Sequence, residues 1–361
     1  MISRALEAWF KVAARDLPWR TTPRDPYHAL VAETMLQQTQ VSRVIPAYNR
    51  FIDRFPDVRS LASAPIDDVF GLWSGLGYYR RARNLHAAAS MIVRDFSARV
   101  PSAVNDLLKL PGVGRYTAGA IASIAFNQSA PIVDGNVKRV LLRLHGKDLE
   151  PDAKPTTDWS WTVAAQLASA ARNPGVTNEA LMELGATVCL PPPASPACER
   201  CPLKDSCKAF ALGLTAQIPR PKKRSAVSEL FCVSIILRDK HGRLLIEQRP
   251  RTGMWAGLVQ LPTLESNDDW PALDRLQTFI QIRGGTLSPT DFASPILEFT
   301  HQTTHRTVRF KVVHAQLAPC NRKLVGRTWI AQADLKALGV SSAHKRAITA
   351  AFQMQGGLFS V

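Results

Sequence analysis

The stretch LPGVGRYTA, which spans Leu110–Ala118, decides how the first part of this chain folds. Pro111, Gly112 and Gly114 interrupt two helical patterns, VNDLLKL before them and TAGAIASIAF after them. Closely spaced glycines let the backbone turn tightly, and the first N–H groups of the next helix lack partners within that helix. Because these N–H groups and the helix dipole attract anions, we predict a phosphate-binding hairpin at Gly112, Val113 and Gly114. An ordinary helix–turn–helix connection is the alternative.

The stretch VDGNVKR, which spans Val133–Arg139, places a carboxylate at the start of another predicted helix. Asp134 is a typical N-cap residue, and Gly135 and Asn136 open the run VKRVLLRL. A capping aspartate without any further role is the alternative. Together the two stretches predict a phosphate-binding hairpin with an acid, Asp134, held nearby and Asn136 beside it.

The charge of the chain indicates an acidic partner. Its 361 residues include 45 Lys and Arg against 29 Asp and Glu, a net charge of +16. Such a charge favours binding of a polyanion, nucleic acid above all, without identifying it. No apolar run has the length of a membrane-spanning helix, and the N-terminus lacks the apolar core and cleavage site of a signal peptide. We therefore expect a cytoplasmic monomer that does not bind membranes.

Four of the six cysteines fall in one short window, with the spacing C-x8-C-x2-C-x5-C. Clustered thiolates in a cytosolic chain favour a metal centre over disulfides. Zinc ribbons usually have two CxxC pairs and this window has one, so a [4Fe–4S] cluster is favoured and zinc is the alternative. Cys232 and Cys320 are expected to be buried core thiols. The predicted ligands are Cys189, Cys198, Cys201 and Cys207.

The hydrophobic pattern changes once along the chain. Residues 1–212 carry helical periodicity nearly throughout, which predicts an all-α domain that includes the cysteine loop at 189–207. Residues 213–228, GLTAQIPRPKKRSAVS, form a predicted basic linker. Residues 229–361 begin with a predicted hairpin of LFCVSIILR and RLLIEQ and mix further strands with helices, so we predict an α+β domain.

The order of motifs along nearly the whole chain resembles that of MutY-type adenine DNA glycosylases. The resemblance implies an endonuclease III-like helix–hairpin–helix domain followed by a Nudix-like domain. It also implies the activity, which is removal of adenine paired with 8-oxoguanine or guanine in double-stranded DNA, the first step of base-excision repair. The segments that carry it are DLPWR, ETMLQQTQV, GLGYYRRARNLH, LPGVGRYTAGA, VDGNVKR, NEALMELGATVC and the four-cysteine loop.

Hydrolysis of an N-glycosidic bond needs two acids with different duties. Its transition state resembles an oxocarbenium ion, so a carboxylate must lie near the anomeric carbon, and Asp134 is expected to stay ionised at its helix N-terminus. Adenine leaves well only when protonated, and Glu33 lies in the apolar run AETMLQQT, which should raise its pKa. A solvated glutamate is the alternative. The predicted catalytic residues are Glu33, Asp134, Tyr116 and Asn136.

Tyr116 indicates the type of reaction. Related bifunctional enzymes have a lysine at this position of the hairpin, where its amine forms a Schiff base with the sugar. Tyrosine lacks that amine, so we predict a monofunctional glycosylase. Two other classes of protein are the alternatives: a bifunctional pyrimidine-lesion glycosylase/lyase, and a DNA-binding or redox-sensing protein without catalytic activity.

The resemblance also implies which residues recognise the mispair. Adenine must be flipped out of the duplex, with Gln38 as the wedge that fills its place and Tyr78 stacked beside the oxidised guanine. The adenine pocket is implied to consist of Arg15, Trp19, Arg20, Leu36 and Glu179.

The second domain departs from the family in the loop that reads the lesion. Relatives carry Phe-Ser-His there, whereas this chain has Thr303-Thr304-His305, so Thr304 and His305 are the predicted readers. The sequence LVQLPTLESNDDWPALDRL also lacks the paired glutamates of the Nudix catalytic box. We therefore expect a lesion-recognition domain rather than a second hydrolase.

Overall fold

A computed structural model of the chain describes residues 1–220, 227–303, 305–317 and 327–353. The molecule divides into two compact units, the first being Met1–Ala64 with Arg81–Arg224 and the second being Pro65–Arg80 with Ser225–Val361. The segment Pro65–Arg80 thus packs with the second unit, although it lies within the helical part of the sequence.

The first unit is helical, and its described residues contain no β-strand, which confirms the predicted all-α domain. Two 3₁₀ turns, Cys198–Arg200 and Lys204–Ser206, lie in the cysteine loop. The helices of residues 1–220, of which α5 belongs to the second unit, are α1 (Ile2–Ala13), α2 (Pro26–Leu36), α3 (Val41–Arg54), α4 (Val58–Ser63), α5 (Ile66–Leu72), α6 (Arg80–Asp95), α7 (Val104–Leu107), α8 (Arg115–Ile124), α9 (Gly135–Leu144), α10 (Lys154–Ser169), α11 (Pro174–Thr187) and α12 (Lys208–Ala211).

A core of apolar side chains sets α9 and α11 against each other and against α1. Leu6 of α1, Leu141 of α9 and Leu181 of α11 are almost completely buried in it. The helices approach closely because Gly185 of α11 has no side chain: a Cβ there would lie 2.7 Å from the Cβ of Asn136. This approach places the N-terminus of α9 beside α11.

The hairpin predicted at Leu110–Ala118 connects α7 to α8. Gly112 has φ +79, a conformation that favours glycine, and a Cβ there would lie 2.7 Å from the Cβ of Asn84. Gly114 is the N-cap of α8 and offers no side-chain cap, so the first amides of α8 have no capping partner on that residue.

The second unit contains mixed and antiparallel sheets, which confirms the predicted α+β class. One sheet has the order β4-β1-β7-β6 with β1 and β7 parallel, another has the order β3-β2-β9, and β5 pairs with β8. The strands are β1 (Ser228–Ile236), β2 (Leu244–Gln248), β3 (Val259–Gln260), β4 (Thr263–Ser266), β5 (Gly285–Thr286), β6 (Leu297–Gln302), β7 (Arg306–His314), β8 (Gln316–Leu317) and β9 (Arg327–Ile330). The helices are α13 (Leu273–Gln281), α14 (Pro289–Ala293) and α15 (Ser342–Gln353), with a 3₁₀ turn at Gln332–Ala337.

The predicted hairpin of β1 and β2 is confirmed next to its turn but not along the two strands. The chain does reverse there, and Arg238 and Leu244 form an antiparallel bridge at the turn. However, β4 and β7 already occupy the two edges of β1, so β2 joins the other sheet between β3 and β9. The pattern of apolar residues marks both strands but does not say which neighbour each will take.

Two further predictions from the sequence concern the two isolated cysteines and membrane-spanning helices. Cys232 is fully buried in β1, as predicted, and burial raises the pKa of its thiol, whereas Cys320 lies outside the described residues. Within the described part of the chain, no helix combines the length and the apolar character needed to cross a bilayer.

Candidate active site

Glu33 lies near the end of α2 with only 8% of its surface exposed. The helix is apolar on nearly every side, and its residues from Ala29 to Met35 are all buried. Burial raises the pKa of Glu33 to about 7, the charges of Asp134 and Glu179 add to the increase, and the Tyr116 hydrogen bond and the Arg20 charge oppose it. At neutral pH a substantial fraction of Glu33 is therefore protonated, as the sequence predicted.

Asp134 is the N-cap of α9, as its sequence context predicts. Its Oδ1 accepts a hydrogen bond of 2.7 Å from the Val137 N–H, and Asn136 Nδ2 donates to its Oδ2 at 3.3 Å. Burial raises the pKa of this carboxyl above its usual value, although the hydrogen bonds from Val137 and Asn136 and the charge of Arg139 lower it. That the helix N-terminus keeps it ionised stays a prediction. The charge of the half-buried Asp134 in turn raises the pKa of the buried Glu33 carboxyl.

Tyr116 joins this pair from the first turn of α8. Its hydroxyl hydrogen-bonds the Glu33 carboxyl and lies 2.9 Å from the Met182 sulfur. Burial, together with the charges of Glu33 and Asp134, raises the pKa of Tyr116 well above 10. The phenol therefore stays neutral and remains a hydrogen-bond donor between the Met182 sulfur and the Glu33 carboxyl.

Three arginines and two glutamates form an ion-pair network next to these acids. Arg20 donates to Glu179 at 3.0 Å and to Glu183 at 2.9 Å, which joins the two carboxylates. Arg15 Nε lies 2.6 Å from Glu183 Oε1, and Arg24 Nη2 lies 2.9 Å from Glu179 Oε2. Arg15, Arg20 and Glu179 were predicted for the adenine pocket.

Sequence reasoning missed the other two members of this network. Glu183 is 1% exposed, and although burial alone would raise its pKa, hydrogen bonds from Arg15 and Arg20 lower it. A signal was present, since Glu179 and Glu183 are four residues apart and so share one face of α11. Arg24 gave no such signal, because its partner is 155 residues away along the chain.

The two apolar residues of the predicted adenine pocket are partly exposed. Trp19 packs edge-on against Tyr48, with ring centroids 5.3 Å apart. Leu36 is the last residue of α2, one turn beyond Glu33. Both side chains thus lie at the surface of the first unit, next to elements that carry the acids or the arginines.

Gln38, the predicted wedge, follows directly after α2. It is exposed and has φ +55, an unusual backbone conformation for a residue other than glycine. The buried Arg81 fixes this turn, because its guanidinium donates to the carbonyls of Thr34, Met35 and Gln37. The structure therefore projects Gln38 from a firmly held turn.

The predicted contacts to the oxidised guanine lie in the second unit. Tyr78 is 48% exposed and has φ +48. His305 is exposed at the turn between β6 and β7, which Thr303 closes by accepting the Arg306 N–H at 2.9 Å. Thr304 lies outside the described residues.

The four clustered cysteines, Cys189, Cys198, Cys201 and Cys207, line one cavity of the first unit. Two buried arginines of α9 hold this loop. Arg139 Nε donates to the Cys189 carbonyl at 2.8 Å while its Nη2 donates to Asn136 Oδ1 at 2.9 Å, and Arg143 Nη1 lies 3.3 Å from the Cys189 sulfur. The helix that begins at Asp134 therefore also positions the cysteine loop.

Two family models match long parts of this chain. Residues 31–165 match the HhH-GPD superfamily of base excision DNA repair proteins, and residues 233–350 match the NUDIX domain. A solved thermostable thymine-DNA glycosylase shares 28% sequence identity with a TM-score of 0.52, and the match covers 58% of this chain and 95% of that one.

Curated relatives match along most of the chain. The adenine DNA glycosylase of Rattus norvegicus is 34% identical over 95% of this chain and 76% of its own length, and that of Homo sapiens is 32% identical over 95% and 72%. The adenine DNA glycosylase of Mycolicibacterium smegmatis is 43% identical over 58% of this chain and 70% of its own length. The chain belongs to the adenine DNA glycosylase family.

Proposed function

We propose that this protein hydrolyses the N-glycosidic bond of adenine paired with 8-oxoguanine or guanine in double-stranded DNA. The observation that carries the proposal is the pair of carboxyls formed by the buried Glu33, with a pKa of about 7, and the half-buried Asp134 at the N-terminus of α9. The names of the relatives indicate that the excised nucleobase is adenine, and the two carboxyls account for the chemistry of its removal.

Glu33 is the acid and then the base of this reaction. Its protonated form donates a proton to a ring nitrogen of adenine, which then leaves as the neutral base when the bond to the sugar breaks. The positive charge that develops on the sugar is stabilised by the Asp134 carboxylate. Water adds to the anomeric carbon and gives a proton to the Glu33 carboxylate, so the products are adenine and an abasic site and Glu33 is protonated again.

Tyr116 and Asn136 support the two acids. The Tyr116 hydroxyl orients the Glu33 carboxyl, and Asn136, held by Arg139, orients the Asp134 carboxyl. Neither side chain has an amine that could form a Schiff base with the sugar, so the reaction ends at the abasic site and the enzyme is monofunctional.

DNA binding uses groups around this centre. The amides at Gly112, Val113 and Gly114 bind a backbone phosphate, and Gln38 fills the space that the flipped adenine leaves. Tyr78 contacts the base opposite, and Thr304 and His305 read its oxidised edge. The second unit is a recognition domain in this scheme. We further propose that the protein acts as a monomer in the cytoplasm.

The residues of the cysteine loop fit a [4Fe–4S] cluster. Cys189, Cys198, Cys201 and Cys207 line one cavity, so four thiol donors are available to one group, and their spacing has one CxxC pair where zinc ribbons usually have two. A bound cluster would supply a one-electron redox couple, and these four thiolates would hold it.

The metal proposal is tested by analysis of purified protein. It should be yellow-brown with about four irons per chain. Cys198→Ser should lower the iron content and the affinity for DNA, whereas Cys232→Ser, at a buried thiol of the second unit, should retain the iron. Stoichiometric zinc in a colourless protein would contradict the cluster.

The activity is tested with a duplex that contains one 8-oxoguanine·adenine pair. Incubation should leave an intact strand with an abasic site, which alkali then cleaves, and borohydride should trap little protein on DNA. Efficient trapping, with strand cleavage equal to base release, would instead show a lyase. Tyr116→Lys restores an amine at this position and should increase trapping.

A further inference from the structure

The segment Pro65–Arg80 is anchored to the far C-terminal part of the second unit. Phe70 of α5 packs so closely on Gly339 that a Cβ at Gly339 would lie 2.9 Å from the Phe70 Cβ. The backbone of Gly339 is itself held, because its carbonyl accepts the Val259 N–H of β3 at 2.9 Å. The contact therefore joins α5 to a sheet of the second unit.

Tyr79 makes the polar part of this anchor. It is 7% exposed, and its hydroxyl donates to the Val340 carbonyl at 3.0 Å. Its ring packs edge-on against Phe70 with centroids 5.6 Å apart, and burial raises the pKa of its hydroxyl although Ser74 hydrogen-bonds it. The neutral hydroxyl thus remains a donor to Val340 throughout the pH range of DNA repair assays.

Tyr78, the next residue, has the opposite environment. Its side chain is 48% exposed and its backbone has φ +48, so neighbouring contacts must hold this conformation. Earlier in the chain, the fully buried Trp73 donates from Nε1 to the Gly77 carbonyl at 3.1 Å. Along the chain, the exposed ring of Tyr78 therefore lies between Trp73 and Tyr79, two buried aromatic side chains that are held by hydrogen bonds.

We propose that Tyr79 is a positioning residue for recognition of the base opposite adenine. Its hydrogen bond to Val340 holds the backbone that presents Tyr78, so the second unit acts on recognition through Tyr78 as well as through His305. The inference rests on the proposed function, in which Tyr78 contacts that base. A role in stability alone is the competing explanation, and the two differ in whether discrimination between bases changes.

The test compares single-turnover rates of adenine release opposite 8-oxoguanine and opposite guanine, using the full chain. Tyr79→Phe keeps the ring and removes the bond to Val340, and it should lower the ratio of the two rates by about three- to tenfold. The matched control is Tyr27→Phe, because Tyr27 donates to the Phe55 carbonyl at 2.8 Å in the first unit and is equally buried. The control should lower the melting temperature and leave the ratio unchanged.

Two further variants separate positioning from stability. In a Tyr78→Ala background, Tyr79→Phe should cause no further loss of discrimination, because it acts through the ring that has been removed. Gly339→Ala leaves Tyr79 intact but places a Cβ against Phe70, and it should lower the ratio as well.

An unchanged ratio in Tyr79→Phe, with only a lower melting temperature, would overturn the proposal, as would an equal loss with and without Tyr78. Failure of the proposed function looks different: the wild-type chain would then release adenine from neither duplex.

Discussion

The two units differ in what they bury. In the described residues, the buried carboxylates Glu7, Glu33, Glu179 and Glu183 all belong to the first unit. The second unit fully buries a histidine, His344, whose ring nitrogens have no hydrogen-bond partner among the described residues and whose pKa is lowered to about 3 by burial. The first unit thus buries several carboxyl groups, whereas the second unit buries a histidine in its neutral form.

This difference in burial assigns the proposed acid–base chemistry to the first unit. A buried carboxylate is costly unless arginines or hydrogen bonds surround it, and the first unit provides these at Glu179 and Glu183 but only in part at Glu33. The incomplete compensation leaves Glu33 with the shifted pKa that an acid–base catalyst needs. In the second unit, the carboxylates of the ion pairs Arg283–Glu247 and Arg249–Glu265 are more exposed, at 13% and 32%, than those of Glu179 and Glu183.

The largest expected effect comes from substituting the two proposed catalytic carboxyls of the first unit. Asp134→Asn and Glu33→Gln should each lower the single-turnover rate of adenine release by about 10³-fold or more, because each removes one of two acids that act in the same step. Asparagine also caps helices, so α9 should still form in Asp134→Asn. Duplex affinity should change little, since neither substitution removes a phosphate contact. Asp106→Asn, at an exposed acid that pairs with Lys109, is the control and should react at the normal rate.

A rate within tenfold of the wild type in either catalytic variant would show that the carboxyl concerned is not essential.

The next largest effect concerns stability. Glu183→Gln should destabilise the protein by about 4 kcal/mol, because Arg15 and Arg20 lose their shared buried partner. The matched change in the second unit, Glu229→Gln, breaks an exposed pair with Arg309, where the side chains are 42% and 48% exposed, and should cost at most about 1 kcal/mol. Urea denaturation measures both. Equal losses would mean that the network of the first unit is no more cooperative than a single pair.

The sequence predicted those parts of the site that are local. Asp134, Gly135 and Asn136 specify a helix start within three residues, and the structure has α9 begin there with the expected cap. Two glycines likewise predict the turn of the hairpin, and Gly112 has the positive φ that the prediction implies. Capping and turn preferences act over a few residues, so the sequence alone can show them.

Other features depend on residues that are far apart in the chain. Arg15 and Glu183 are separated by 168 residues, and no periodicity signals their pairing. The apolar residues of α5 predict a buried helix but not that Phe70 and Tyr79 pack on Gly339 and Val340. The raised pKa of Asp134 also needs the fold, because it results from the burial that α9 acquires only through packing.

A smaller effect tests the incomplete compensation at Glu33. Its pKa of about 7 exceeds the usual 4.5, so the folded state binds an extra proton between these pH values and loses stability as pH rises through that range. Glu33→Gln carries no charge and should be more stable than the wild type by on the order of 3 kcal/mol at pH 8, with the difference vanishing near pH 4. Thermal unfolding across this range is the measurement. A variant that is less stable than the wild type at pH 8 would show that the carboxylate is well compensated in the folded protein.

The smallest effect concerns the surface of the second unit. His305 is exposed at the turn between β6 and β7, and in the proposed function its imidazole hydrogen-bonds the edge of the oxidised base. Because a good contact to a base edge carries about 1–3 kcal/mol of discrimination, His305→Ala should narrow the preference for 8-oxoguanine over guanine by about tenfold. The rate opposite guanine should stay constant. His241→Ala, at an exposed histidine in another turn of the same unit, is the matched control and should leave the preference intact. A loss of rate on both duplexes would place His305 in general DNA binding, whereas an unchanged preference would leave Tyr78 as the main contact to the lesion.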